Sequence, residues 1–453
     1  MYELLFKKIL FPLYETHLRG RKTLQYYKEL EESQWLSPEE IQQRQWESVI
    51  QLMKHCYENV SYYQNQFKRV GLTPEDIKDY GDFARLPVIS KEEIRAHQEE
   101  MIATNYRNRV IFKSTGGSTG VPLQLAHDRN SYEWRIAVFL RGYGWAGCED
   151  GKKTVYIWGA PIGEVPLKQK IKTACHQALL RRSVFNSFEF DEKRIEDCIK
   201  AINRIKPQGI VGYTTPVYNL AKFIKETNKK IINVPSIVTA AEKVEDYQRK
   251  LIEEVFAGKV FNTYGSREFM LIASECEYHQ GLHVNSENLF VEILKNGKSA
   301  APGESGELVI TDLHNYGMPF VRYKNGDLAV ASDRRCPCQR GLPLVEDIQG
   351  RLLDALQTTD GKIVPGEFFP HLMKEFKSVK KFQVIQESKE HLTLTIVLES
   401  PLTEDRLAFL KSEIQKVFGT SIRIDLNFVD DIPQTPSGKH RVTISKVPVH
   451  FGN

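Results

Sequence analysis

The chain has 453 residues, 41% of them hydrophobic and 26% charged, with 62 basic against 58 acidic side chains. That length suffices for two or three domains around a large core. The balanced charge argues against a nucleic-acid partner, no run of about 20 apolar residues is present to span a bilayer, and Lys7, Lys8 and Glu15 interrupt any secretory signal.

Seven dispersed cysteines, at 56, 148, 175, 198, 276, 336 and 338, suit a reducing cytoplasm and not a disulfide framework. The first residues, Leu4, Leu5, Phe6, Ile9, Leu10, Phe11, Leu13 and Tyr14, form a broad apolar face with Lys7, Lys8, Arg19, Arg21 and Lys22 nearby. Two fates suit such a helix: packing on its own protein, or lying in a membrane interface. Residues 25–100 read as helical, with Val49, Leu52, Met53 and Cys56 at helical spacing, and Ser90-Lys91-Glu92-Glu93 opens a further helix.

Val110-Ile111-Phe112 suits a strand, and Lys113-Ser114-Thr115-Gly116-Gly117-Ser118-Thr119-Gly120 follows it. Such a segment cannot pack a core. It can bring backbone N–H groups and hydroxyls close to an anion. Val121 stands where a classical nucleotide P-loop has lysine, so this is a different anion loop or a Gly/Ser turn. From 125 to 260 helices at 129–147, 166–181, 193–205, 217–227 and 246–256 alternate with strands at 154–158, 209–213, 236–239 and 259–262. That alternation predicts a parallel sheet with crossover helices, whose ligands gather at the carboxyl ends of the strands. Tyr213, Glu242 and Tyr264 sit just past such ends. Strand patterns at 289–294, 306–311 and 327–330 form a β-rich part. Strands at 381–385, 392–398 and 422–426 with a helix at 404–418 form a small α+β unit, with a domain cut near 350.

Four more stretches complete the pattern: Asn262-Thr263-Tyr264-Gly265-Ser266-Arg267-Glu268, Arg322 to Asp327, Gly350-Arg351-Leu352-Leu353-Asp354, and Pro433 to Arg441 around Lys439. With the Ser/Thr/Gly loop they resemble, in order, the signature motifs of the adenylate-forming (ANL) superfamily. Within it the chain looks most like the phenylacetate–CoA ligase family and its CapK-like branch in capsular polysaccharide synthesis, to which the earlier stretch Leu86-Pro87-Val88-Ile89-Ser90-Lys91 after Tyr62-Tyr63 is similar too. The resemblance covers nearly the whole chain. It implies a large adenylation domain over residues 1–350 and a small mobile α+β domain over 351–453. It also implies ATP-dependent activation of a carboxylic acid, with transfer to a thiol, CoA by expectation. The leading alternatives are an acyl or amide ligase of surface-polysaccharide synthesis with another acceptor, and a non-catalytic nucleotide-binding zinc scaffold.

By the same resemblance, Ser114–Gly120 would hold the β and γ phosphates and Glu268 a magnesium ion, a hard cation suited to carboxylate. Tyr264, within Asn262–Ser266, would stack on adenine, and Ala241 and Glu242 would line its slot. Asp327 and Arg351 would hold the ribose. Lys439 would bridge the carboxylate and the α-phosphate. Two departures stand out: Leu353 replaces the usual hinge acid, and Leu123 replaces a lysine common at the loop's end. Tyr143 and Trp145, with Gly212, Tyr213 and Thr214, are acyl-pocket walls by position, or ordinary core.

Cys336-Pro337-Cys338 supplies two sulfurs from one turn. With Cys276 and a histidine they make a Cys₃His set suited to structural zinc; the alternative is free thiols. Resemblance favours His283 as fourth ligand, and Cys-x-x-His spacing offers His279. Four protein ligands leave no open position for catalysis. The sequence leaves monomer and homodimer both open.

Overall fold

The computed structural model describes residues 1–114, 124–159, 166–187, 192–351, 356–360, 363–364, 368–373, 375–376, 378–433 and 442–447. The chain divides into two compact units. The larger comprises Met1–Glu292, Val309–Asn325 and Ser332–Glu346; the smaller comprises Ile293–Leu308, Gly326–Ala331 and Asp347–Asn453. The last segment of the smaller unit begins at Asp347, three residues before the cut expected near 350. The smaller unit also takes two β segments from earlier in the chain, because alternation of apolar residues marks a strand without naming its sheet neighbours.

In the larger unit, β1 (Val110–Ser114) and β2 (Gln124–Asp128) pair antiparallel from Val110↔Asp128 to Ser114↔Gln124. The Thr115–Leu123 part of the anion loop lies outside the described residues. β3 (Thr154–Trp158), β4 (Arg182–Asn186), β5 (Gly209–Tyr213), β6 (Ser236–Ala240) and β7 (Lys259–Ser266) form a parallel sheet in the order β4-β3-β5-β6-β7, and antiparallel β8 (Met270–Ser274) and β9 (Leu282–Val284) extend it. β4 escaped the sequence reading because its Arg-Ser-Val-Phe-Asn is short and half polar, as edge strands often are.

Crossover helices cover this sheet, as the alternation predicts. Helix Glu192–Ile205 turns Ile195, Cys198, Ile199 and Ile202 inward at i, i+3, i+4, i+7 spacing. They pack with Val217, Leu220 and Ile224 under Ile210, Ile237 and Val260. Each such side chain, fully buried, contributes about 1.5–3 kcal/mol. Helix Arg129–Trp145 is buried on most of its surface and opens on Asp128, whose carboxylate accepts from Ser131 N at 2.9 Å. The other oxygen of Asp128 accepts from the backbone N–H groups of Tyr316 and Gly317 at 2.7 and 3.0 Å, tying the helix start to a distant turn. The helix carries two fully buried arginines, Arg135 and Arg141, paired with Asp312 and Glu287.

The amino-terminal helix packs on its own protein through one stripe. Phe6 and Phe11 join Leu140 and Leu180 in a cluster, and the Tyr2 hydroxyl donates to the Leu179 carbonyl at 2.7 Å. Among the described residues no helix is long and apolar enough to cross a membrane.

The smaller unit contains a four-stranded sheet ordered 423–428, 391–398, 379–388, 443–445, with helix Glu404–Phe418. Leu410, Ile414 and Phe418 pack on Val384, Leu392, Leu394 and Ile396. Strand Thr443–Ser445, which follows the Lys439 stretch, runs parallel to Val384–Gln386. Lys439 itself, with the rest of 434–441, lies outside the described residues, as do Leu353 and Asp354.

Candidate functional site

The carboxyl edge of the parallel sheet is the natural place for a ligand, because each strand ends there in a loop. Register sets Ile157, Gly212, Thr239 and Asn262 side by side, with Tyr213 opposite Ala240 one residue further. Tyr213 and Trp158 bring their rings to 4.6 Å. Burial raises the Tyr213 phenol above its ordinary range, against the lowering effect of a backbone hydrogen bond at Gly159 and of Arg267. Tyr213, Trp158, Arg267 and Glu242 thus share one neighbourhood at the strand ends.

The β6 turn is strained: Ala241 has φ +69°, a left-handed conformation unusual for a side-chain-bearing residue. Its partner Glu242 is already engaged. The Glu242 carboxylate accepts from Thr215 N at 2.8 Å, at the start of helix Thr214–Glu226, and its carbonyl accepts from the Thr214 hydroxyl at 2.9 Å. A carboxylate at a helix amino terminus is favoured by the exposed N–H groups. Glu242 therefore holds the turn in shape, leaving Ala241 and the backbone to line whatever enters.

β7 runs on through the Asn262–Ser266 motif instead of stopping at Asn262, and a bulge between Tyr264 and Gly265 redirects it. A Cβ on Gly265 would lie 1.9 Å from the Met270 carbonyl oxygen, so only glycine admits this approach of β8. Glycine there signals a turn in sequence, which is why the strand's length was missed. The Asn325 amide donates to the Tyr264 hydroxyl at 2.7 Å, orienting the ring. Thr263 donates to the Thr239 carbonyl at 2.8 Å, and Asn262 is fixed by the Glu275 carboxylate, which accepts from Asn262 N at 2.8 Å. The Ser266 hydroxyl is buried without a hydrogen-bond partner among the described residues.

Glu268 is 7% exposed, and its carboxylate accepts from the Tyr323 hydroxyl at 3.3 Å. The Tyr323 ring in turn packs with those of Phe269 and Phe320. A buried carboxylate whose described partner is neutral suits a hard cation. Lys113 leads into the loop. Its ammonium sits 4.7 Å from the Tyr132 ring centre, and burial lowers its pKa, with Arg135 and Arg267 adding to the effect. Lys113, Arg267, Tyr323 and Asn325 stand within the motif stretches but have no role assigned from sequence; the signal for Lys113 was its place directly ahead of the hydroxyl run.

The acyl-wall candidates separate. Gly212 is packed: an added Cβ would meet Val217 Cγ2 at 2.6 Å and the Ile157 carbonyl at 3.0 Å. Tyr143 is buried with Tyr156, Val211 and Phe261. Burial drives its pKa up. Trp145 lies elsewhere, against the thiol cluster, with its ring 5.6 Å from that of His283 and its Nε1–H donating to Gln34 Oε1 at 3.0 Å. Helix periodicity carries Tyr143 and Trp145 to different faces, which nearness in sequence conceals. Asp327 is buried and belongs to the smaller unit, as does Arg351.

The second centre is compact. Ligand atoms of Cys276, His283, Cys336 and Cys338 all lie within 4.8 Å of one another, and all four residues are buried. Cys276 Sγ and Cys336 Sγ are 3.5 Å apart, and Cys338 Sγ is 3.3 Å from His283 Nε2. A tetrahedral ion with bonds of about 2.3 Å to sulfur needs ligand separations near these values. Strand pairing sets this up, since His283 on β9 is opposite Leu344 just beyond the Cys-Pro-Cys turn. His283 Nδ1 faces the Leu342 carbonyl at 3.3 Å, which directs Nε2 to the sulfurs. Burial lowers the His283 pKa to about 4, so its ring is neutral at pH 7. His279 is not in this group; its Nδ1 faces the Glu275 carboxylate at 3.2 Å and its ring lies over Phe261.

Comparison with known proteins extends these observations. Residues 356–446 match the family model of the CapK C-terminal domain. Protein CapK of Staphylococcus aureus is 26% identical over 437 residues, covering 95% of this chain and 94% of that one. The phenylacetate-coenzyme A ligase of Escherichia coli (strain K12) is 25% identical over 432 residues, covering 90% and 95%. The crystal structure of 2-hydroxyisobutyryl-CoA ligase in the postadenylation state superposes with a TM-score of 0.67 at 18% identity over 88% of each chain. The chain is thus similar over nearly its full length to protein CapK and to phenylacetate-coenzyme A ligases, carries a segment that matches the CapK C-terminal domain, and shares its fold with 2-hydroxyisobutyryl-CoA ligase.

Proposed function

We propose that the chain is an AMP-forming acid–thiol ligase. A carboxylate oxygen attacks the α-phosphorus of ATP, the bond to pyrophosphate breaks, and the thiol of CoA then attacks the acyl carbon with AMP as leaving group. The observation that carries this reading is the near-full-length likeness to phenylacetate-coenzyme A ligases. The arrangement around β7 supports it. Asn325 orients Tyr264 for stacking on adenine, and Ala241 with its strained backbone lines the same slot. Glu268 would hold magnesium, which neutralises charge on the phosphates when bound. Ser114–Gly120 and Lys113 would grip the β and γ phosphates, Asp327 and Arg351 the ribose hydroxyls, and Lys439 the reacting oxygens. The smaller unit, carrying Lys439, would turn about the Gly350-Arg351 stretch between the two half-reactions.

The test is acid-dependent exchange of labelled pyrophosphate into ATP, screened over aryl, fatty and sugar acids, with CoA then added. The expected result is exchange with one acid class and thioester formation with CoA. No exchange with any acid overturns the reading. Likeness to CapK over 95% of the chain favours one second reading, a ligase of surface-polysaccharide synthesis with a non-CoA acceptor. Adenylate that accumulates with CoA but is consumed by an amine or sugar would select it.

We also propose that Cys276, His283, Cys336 and Cys338 hold a structural zinc ion. Metal analysis of the purified protein is expected to give about one zinc per chain. In Cys338→Ser the metal is lost and thermal unfolding comes earlier, because three clustered donors remain buried without their ion. A folded wild-type protein free of zinc would end this assignment.

A further inference from the structure

The amino-terminal helix has a second stripe that its packing leaves uncovered. The segments Phe6–Leu10 and Leu13–Leu18 are wound as π-helix, with Phe11 N bonded to Phe6 O and Arg19 N to Tyr14 O. This wider turn aligns residues four to five apart instead of 3.6. One stripe, Phe6, Phe11 and Glu15, is buried. The opposite one, Leu5, Ile9, Leu13 and Leu18, is 43%, 55%, 48% and 73% exposed. Helix Leu167–Leu180, which touches the first helix through the Tyr2–Leu179 hydrogen bond and the Tyr14–His176 ring contact, behaves alike. Its apolar positions Leu167 and Ile171 are 73% and 57% exposed.

Charge decides what suits these faces. Residues 1–22 hold five Lys or Arg against two Glu, and one of those acids, Glu15, is buried and paired with Arg21 at 3.2 Å. Helix Leu167–Leu180 holds Lys168, Lys170 and Lys172 and no acid. Exposed apolar stripes flanked by lysines match the two layers of an anionic membrane surface, acyl boundary and headgroup. A second copy of the chain would set the same lysines against one another.

We propose that these two helices dock the protein on an anionic bilayer surface, lying in the interface without crossing it. The test uses the full chain and sedimentation with phosphatidylcholine vesicles, with or without phosphatidylglycerol. The expected result is binding to the anionic vesicles only, reversed by salt. Ile9→Ser/Leu13→Ser and Lys7→Glu/Lys8→Glu, each on exposed positions that leave the core intact, are each expected to weaken partition by roughly tenfold. Circular dichroism identical to wild type confirms that these variants fold. Three outcomes overturn the proposal: no binding to anionic vesicles, equal binding by the apolar double variant, or a dimer that the apolar double variant dissociates without any vesicle binding. None depends on ligase activity.

Discussion

Replacing Lys439 by alanine is expected to lower acid-dependent pyrophosphate exchange by roughly 10²–10³-fold, the usual cost of removing one donor aimed at developing transition-state charge. As the carboxylate oxygen closes on the α-phosphorus, negative charge grows on the phosphoryl oxygens and on the leaving pyrophosphate. A cation that bridges both reactants stabilises that state more than the ground state, so the loss falls on kcat and not on KM alone. Thioester formation from a supplied acyl-adenylate should survive much better, because no phosphoanhydride breaks in that step. An equal loss in both half-reactions would sink the assigned role and point to a folding defect of the smaller unit.

Arg141→Ala is expected to cost about 3–5 kcal/mol of stability, the penalty for leaving one member of a buried ion pair alone. Arg141 is fully buried and donates to both oxygens of Glu287 at 2.6 and 2.9 Å, to Asn285 Oδ1 at 2.9 Å and to the Leu30 carbonyl at 3.0 Å. It therefore joins helices 23–33 and 129–145 to the turn after β9. Burial pushes the Glu287 carboxylate up, but the charge of Arg141 and hydrogen bonds from Arg141 and Ser33 more than offset this and hold it below the ordinary range. The sign follows. A depressed folded pKa contributes stability above the unfolded carboxylate pKa, and that stability is lost as pH falls through the folded value. Without Arg141 burial is opposed by hydrogen bonds alone, chiefly that from Ser33, so the pKa rises and the gap between wild type and variant narrows in acid. Urea unfolding at pH 7 and at pH 4 measures both effects. Arg141→Met with Glu287→Leu should recover part of the loss, because no lone charge stays behind. A variant as stable as wild type at pH 7 would show that water reaches Glu287.

Much of the architecture was legible in the chain. Helices 192–205, 246–256 and 404–418 follow from apolar spacing because each buries one face, and helix 129–145 and the strands ending at Trp158 and Tyr213 from apolar stretches buried on more than one face. Motif order also singled out the stretches proposed to bind and activate the substrates, since glycines, hydroxyls and charges in apolar surroundings are costly unless they have work. Three things needed the fold. One was the path of β7 through Gly265, where a close approach by Met270 decides what glycine means. Another was the parting of Trp145 from Tyr143, and of His279 from His283, which depends on which face of an element meets which neighbour. The last was the use of Glu242 as an anchor for helix Thr214–Glu226. Sequence determines which side chains are present and how each local segment turns. Tertiary structure decides which of them meet, because a hydrogen bond or a metal–ligand bond acts over about 2–3 Å, and a one-residue shift in a strand turns a side chain to the opposite face of its sheet.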